Sequence, residues 1–325
     1  MNPAIVWIEL GRKLPRHLIK NIKLHTEMFP SCRQILLTDQ EYNFGGLGEL
    51  KIVRMDLNED FVNQLAFLKN NLKRMTGQYE FWVNTTSRFF ALECYMKLSG
   101  CAEVIHLESD CVVVNMPEIC KAFLKSDWGL GFPMQAPEIG CASILLVRKL
   151  STLSSFNQFV QSKWDLPDQD DMRLLGEFST RKDVLVLPSH PSFGFIYDPQ
   201  IYGRFLFGRD ARNCRIPFSG RGFVDSRNLE VNPEEFRFHA DITRGIPVLQ
   251  VSDGQTVGTL VNIHLHSKRV PKSLSKLRRL IQRDVGRKRG YFWKLGRLDV
   301  TVLLERVVSK IGRTFFEKLS DFRLR

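Results

Sequence analysis

Glu108 and Asp110 interrupt an otherwise apolar run, Val104-Ile-His-Leu-Glu-Ser-Asp-Cys-Val-Val-Val114. A carboxylate at the edge of a core is costly unless something pairs with it. A divalent cation is a natural partner, because Mg²⁺ and Mn²⁺ take oxygen ligands and are usually held by one or two carboxylates plus substrate phosphates. On an extended segment residues i and i+2 face the same side. Glu108 and Asp110 would then address one ion or nucleotide together, with Ser109 turned away. Acid-x-acid strings are common in solvated turns. What singles this one out is the apolar strand before it, the apolar run after it and a helical segment just upstream.

A second group closes the same kind of pattern late in the chain. Leu260-Val-Asn-Ile-His-Leu-His-Ser-Lys268 reads as a strand ending on His264 and His266, again at i and i+2. A neutral imidazole can complete an octahedral site begun by carboxylates, and Lys268 can neutralise charge developing on a leaving diphosphate. The ordinary alternative is a pair of strand-end histidines bonded to backbone. A third group, Asp168, Asp170 and Asp171, sits at a helix start. Acids there complement the helix dipole, but three in four residues exceed what capping needs. Asp170 or Asp171 could instead hold sugar hydroxyls in a donor or acceptor pocket. Arg204, Arg209, Arg212 and Arg221 lie in a glycine-rich stretch and suit phosphate or carboxylate recognition, a role expected of only a minority of them.

The elements that must position these groups can be read from periodicity. Strands are expected at 4–8, 34–38 and 51–55, with a helix at 14–29 between the first two, so the chain opens β-α-β and points to a mostly parallel sheet. Helices are expected at 61–75 and 81–98, the second carrying Arg88 and leading to the strand 104–107. A helix with Pro117 near its start covers 116–126. Strands at 128–132 and 142–147, a helix at 151–164 and a strand at 184–187 follow. Residues 188–240 are too long for a plain connection and read as a functional excursion with short elements. Strands at 247–251 and 259–264 close the body.

Composition bounds the class. The 325 residues suit one large α/β domain with an appendage, or two domains. Seven scattered cysteines, at 32, 94, 101, 111, 120, 141 and 214, show no metal spacing and suggest reduced thiols in a cytosolic protein. The N-terminus lacks the basic and long apolar regions of a signal peptide, and no stretch reaches the roughly 20 apolar residues of a membrane span. The expected location is therefore cytoplasmic, with a peripheral position on the inner face of the membrane as a variant of it.

Charge divides the chain. Residues 267–325 hold 18 Lys+Arg and 5 Asp+Glu, a net of +13 against +12 for the whole chain, so the other residues sum to −1. We expect a body at 1–267 and a basic helical tail at 268–325, with amphipathic helices at 272–289 and 300–324. An anionic membrane surface suits such helices. Packing on the body, homodimer formation and, least of all, nucleic-acid contact are the alternatives.

Taken together, residues 4–268 resemble a GT-A glycosyltransferase of the polysaccharide-synthesis kind. The resemblance lies in Trp82-Val-Asn-Thr-Thr-Ser-Arg-Phe-Phe-Ala-Leu92 leading to Glu108-Ser-Asp110, in Gly140-Cys-Ala-Ser-Ile-Leu-Leu146, and in Asp171-Met-Arg-Leu-Leu-Gly176. It continues through Tyr197-Asp198, Gly203 and Gly208-Arg-Asp-Ala-Arg-Asn213, and ends in Asn262-Ile-His-Leu-His-Ser-Lys268. It implies an α/β fold, with a mixed and mostly parallel sheet flanked by helices. It also implies transfer of a sugar from a nucleotide diphosphate donor to a glycan or lipid-linked acceptor, with Mn²⁺ or Mg²⁺ bridging the phosphates.

Glu108 and Asp110 would map onto the family's Asp-x-Asp, and His264 or His266 onto its late metal ligand. Glu in the first position is a departure from that motif and leaves Asp110 the firmer ligand. Lys268 and Arg88 would meet the leaving charge. The late His with Lys resembles the retaining families, whereas an inverting enzyme would need Asp171 or Asp198 as a base. A nucleotidyltransferase is the rival enzyme class, but Glu9-Leu-Gly-Arg-Lys13 is too sparse for its usual glycine-rich basic loop. A non-catalytic protein that binds through the basic tail is the rival outside catalysis.

Overall fold

The computed structural model describes residues 3–11, 13–42, 50–71, 79–125, 127–166, 169–208, 236–243 and 245–285. Several expectations lie outside these residues: Asp168, Arg209, Arg212, Arg221, Asn213, the end of the helix expected at 61–75, and the helix at 300–324.

The centre is a strand whose sequence is apolar throughout. β1 (Ala4–Glu9) is buried at every position. Ala4, Val6 and Ile8 enter one apolar cluster, while Ile5 and Trp7 enter another on the opposite face. A strand covered on both faces belongs in a helix-flanked parallel sheet, and β1 pairs in parallel with β2 (Gln34–Thr38) and with β4 (Val104–Leu107). The eight-stranded sheet runs β3 (Lys51–Arg54), β2, β1, β4, β8 (Ile144–Val147), β6 (Leu130–Ala136), β7 (Ile139–Gly140), with β9 (Val184–Leu187) pairing β6. The pairs β4–β8, β6–β8 and β6–β7 are antiparallel. The expected α/β class with a mixed sheet is met.

Helices α1 (Arg16–Met28) and α4 (Met116–Leu124) pack into the cluster that holds Trp7. Helices α2 (Glu59–Asn71), α3 (Tyr79–Ser99), α5 (Leu150–Lys163) and α6 (Asp171–Phe178) pack into the other. A second sheet, ordered β10 (Phe195–Ile196), β13 (Val257–Leu260), β12 (Val248–Ser252), β11 (Arg237–Asp241), sits beside α7 (Tyr202–Phe207). A two-stranded ladder joins β5 (Cys111–Val113) to β14 (Asn262–His264).

One expectation is corrected. The strand expected at 259–264 is two strands, because the chain changes partner at Val261: Thr259 and Leu260 pair with β10, and Asn262–His264 pair with β5. The Val261 carbonyl accepts from the N–H groups of both Val114 and Asn115, which fixes the change-over. The short strand β7 was not anticipated; two residues carry no periodicity. The segment expected as a basic tail is described only through residue 285. Helix α8 (Leu274–Val285) buries Leu277 and Ile281 in the body's core, and its Leu274 N–H donates to Glu27 of α1. Among the described residues, no helix is long and apolar enough to cross a membrane.

Candidate active site

The acidic motif is a turn rather than a continued strand. β4 ends at Leu107, and the Cys111 N–H closes back on the Glu108 carbonyl at 2.9 Å. The extended-chain argument for the two carboxylates therefore fails at this point, yet both reach the same place. Side chains of α1 hold the turn: Asn21 Nδ2 donates to the carbonyls of Ser109 (3.1 Å) and Cys111 (2.8 Å), and His17 Nε2 lies 3.0 Å from Ser109 Oγ. His25 Nδ1 bonds the Asn21 carbonyl, while its Nε2 accepts from the Val113 N–H at 3.1 Å. Sequence reasoning missed this set. The available signal was three polar residues spaced four apart on the buried face of an amphipathic helix.

On its other edge β5 pairs with β14, placing His264 opposite Cys111. The Leu265 N–H continues the ladder to the Asp110 carbonyl at 2.8 Å. Ladder register thus delivers the late histidine to the acidic turn. His264 Nε2 lies 3.0 Å from Asp110 Oδ2 and 3.6 Å from Glu108 Oε2. One ligand atom from each of Glu108, Asp110 and His264 falls within 4.8 Å of the others. Two carboxylates and an imidazole at this spacing are a donor set suited to Mn²⁺ or Mg²⁺. His266 stands outside that set, its ring centre 6.1 Å from that of His264. Burial and the neighbouring cation His264 push its pKa down to about 3.

The other expected groups extend this cluster into one line of alternating charge. Asp171 Oδ2 is 2.9 Å from Arg88 Nη2, and Arg88 Nη1 is 2.7 Å from Glu108 Oε1. Glu108 and Asp110 flank His264, and Lys268 Nζ reaches Asp110 Oδ2 at 2.5 Å. Burial alone would raise Asp110, but His264 and Lys268 outweigh it and hold the carboxyl well below its usual range. Arg88 and His264 likewise hold Glu108 low against burial. Burial disfavours the His264 cation, yet Asp110 and Glu108 keep it protonated well above the ordinary histidine range. Asp171 goes the other way: burial dominates over Arg88 and lifts it to about 6.

The aspartate cluster divides by role. Asp170 is the N-cap of α6, accepting from the Arg173 N–H, and Asp171 in the first turn faces Arg88. Glycines let α6 come close enough to do this. A Cβ on Gly176 would stand 2.1 Å from the Glu138 carbonyl oxygen, and one on Gly140 would stand 2.5 Å from Leu175 Cβ.

Asp198 is fully buried, and both of its carboxylate oxygens accept from backbone N–H groups. Its Oδ1 accepts from the N–H groups of Ile201 and Tyr202, and its Oδ2 from those of Gly203 and His264. Burial raises its pKa even so. Its geometry is that of a brace holding α7 and the His264 backbone. Lys268 is held in the left-handed region at φ 56° by a turn in which its N–H bonds the Leu265 carbonyl. A lysine there is strained and persists only where its surroundings fix it.

No family model matches the sequence, and no curated protein matches it. Solved structures do match in part. Mouse xyloside xylosyltransferase 1 in its apo form overlaps 58% of this chain and 86% of its own, with 11% identity and a TM-score of 0.40. The galactosyltransferase LgtC in complex with donor and acceptor sugar analogues overlaps 57% and 73%, with 16% identity and a TM-score of 0.36. A cytidylyltransferase from Leptospira borgpetersenii overlaps 58% and 76%, with 11% identity and a TM-score of 0.35. At these scores the likeness is partial, and the functional reading rests on the side chains above.

Proposed function

We propose that the chain is a GT-A-type glycosyltransferase, moving a sugar from a nucleotide diphosphate donor to a glycan or lipid-linked acceptor. Glu108, Asp110 and, once it gives up the proton that its carboxylate neighbours hold on it, His264 would bind Mn²⁺ or Mg²⁺. The observation that carries this reading is the meeting of Asp110 and His264, 154 residues apart in sequence, in a buried cluster flanked by Arg88, Asp171 and Lys268. A bound divalent cation supplies charge stabilisation to a leaving diphosphate.

The chain's own groups would do the rest. Asp110 is the firmer ligand because it is almost fully buried and held ionised, while Glu108 divides its two oxygens between Arg88 and the cluster. Arg88 fixes Glu108 and Asp171 in one geometry, and Asp171 would orient donor hydroxyls. Lys268 offers an ammonium to the phosphates. An inverting mechanism needs a carboxylate free to take the acceptor's proton. Asp198 is committed to four backbone donors and Asp171 to Arg88, which supports a retaining course.

A cytoplasmic enzyme at the inner face of the membrane fits the exposed Lys272, Lys276 and Arg279 around α8, which packs beside α1 with its exposed Lys20 and Lys23. The reading is tested with a panel of nucleotide sugars, with and without Mn²⁺, comparing wild type with Asp110→Ala. Metal-dependent binding or hydrolysis of one donor, lost in the variant, is expected. No donor bound in the presence of metal would overturn it.

A further inference from the structure

Lys268 stands where a divalent cation would need room. Its Nζ lies 2.5 Å from Asp110 Oδ2, the same oxygen that faces His264 Nε2 at 3.0 Å. Asp110 is 1% exposed, so its charge has little water to lean on and depends on these two neighbours. A divalent ion bound through Glu108, Asp110 and His264 would have to share Asp110 with the lysine ammonium. Like charges this close in a water-poor site repel strongly. The lysine side chain is 29% exposed, however, and so has a way out of the contact.

The backbone supports a specific placement. Lys268 and Gln200 are the two non-glycine residues with positive φ among the described residues. Both lie beside the Asp198 brace: Gln200 precedes the N–H groups that Asp198 binds, and Lys268 ends the turn that begins at Leu265, the residue after the His264 N–H that Asp198 also binds. Strain of this kind is kept where a side chain must start from a fixed point. From that point a flexible four-carbon stem can carry the ammonium either to Asp110 or outward.

We propose that Lys268 is a resident cation which trades places with the metal. It neutralises Asp110 while the site has no donor. When a metal-bound diphosphate arrives, the ammonium leaves Asp110 for a phosphate oxygen. Metal alone must then displace the lysine with no compensating anion, so it binds weakly, whereas metal with diphosphate gives the lysine a new partner. The inference rests on the metal-assisted reading above and assigns Lys268 as a donor-binding residue that couples metal binding to donor binding.

The test is a titration of the full chain with Mn²⁺ alone, read from the electron paramagnetic resonance signal of the free ion. Wild type, Lys268→Met, Lys268→Arg and Asp110→Ala are compared after circular dichroism shows each to be folded. Removing a competing contact of a kcal/mol or two should tighten Mn²⁺ binding by Lys268→Met about tenfold. Lys268→Arg, which keeps the cation, should stay close to wild type, and Asp110→Ala should lose the ion. If wild type binds Mn²⁺, loses it in Asp110→Ala, and Lys268→Met binds equally or more weakly, the exchange is refuted while the metal reading stands. If Mn²⁺ alone binds none of the variants, the exchange is also refuted, and the metal reading is then decided by the donor panel.

Discussion

His25 should make the protein sensitive to mild acid, by an amount the structure sets. The ring is fully buried against Trp7, its Nδ1 bonds the Asn21 carbonyl, and its Nε2 accepts the Val113 N–H. An imidazole that both gives and accepts a hydrogen bond must be neutral. Burial lowers its pKa from 6.5 to about 4. Between those values the unfolded chain binds the proton and the folded chain does not, so stability falls as the pH falls through that window. A shift of this size is worth about 3 kcal/mol once the pH is below both values.

Asp171 opposes it over part of the same range. Its folded pKa of about 6 lies above the ordinary carboxyl value of 3.8, so the folded state binds the extra proton and gains stability as the pH falls. The wild-type curve alone is therefore blunted, and a difference measurement is needed. His25→Gln can still donate at one end and accept at the other, but it does not titrate. Urea unfolding followed by circular dichroism, from about pH 7.5 to pH 4.5, would give both stabilities. The variant should start about 1–3 kcal/mol below wild type and recover about 2.5 kcal/mol relative to it by the acid end. A constant gap across the range would refute the assignment of a neutral, hydrogen-bonded His25.

Two further outcomes follow from the site. Arg88→Met leaves Glu108 and Asp171 buried without their shared partner and should cost about 3–5 kcal/mol in urea unfolding; a loss under 1 kcal/mol would mean that water or another cation replaces the guanidinium. Gly203→Ala would place a Cβ 2.2 Å from the His264 carbonyl oxygen and 2.8 Å from Asp198 Oδ2. It should cost about 1–3 kcal/mol as an overpacking change and weaken Mn²⁺ binding by moving the His264 backbone. Unchanged Mn²⁺ affinity in a folded variant would separate the brace from the metal cluster.

Much of the sheet was legible because its strands are short apolar runs bounded by turn residues, as in Ile35–Leu37 and Ile144–Val147. Glu108, Asp110 and His264 could be picked out as polar groups beside apolar strands, Asp171 from its aspartate cluster, and Arg88 and Lys268 as nearby cations, and the structure brings these six into one line. What lay beyond sequence was the geometry that joins them. The turn at Glu108–Cys111 replaced the extended segment assumed for the motif, because a ladder with β8 ends at Leu107 and no local pattern marks that end. Asp198 looked like a spare acid because backbone donors leave no trace in residue type. Likewise, the change of partner at Val261 depends on strands far away in sequence, and periodicity carries no record of which neighbour a strand pairs with.

The ladder between β5 and β14 also sets when the site can exist during folding. Asp110 sits in the first half of the chain, and the strand that brings His264 to it is the last of the body. Closing so long a loop is slow relative to local structure, because its entropy is lost before the contacts form. A nascent or truncated chain that stops short of residue 264 would carry a buried carboxylate with neither histidine nor lysine to balance it. Such a chain has reason to stay open at β5, exposing a strand edge that the finished protein covers. Assembly of the Glu108–Asp110–His264 cluster and completion of the fold would then arrive together, at a single late docking step.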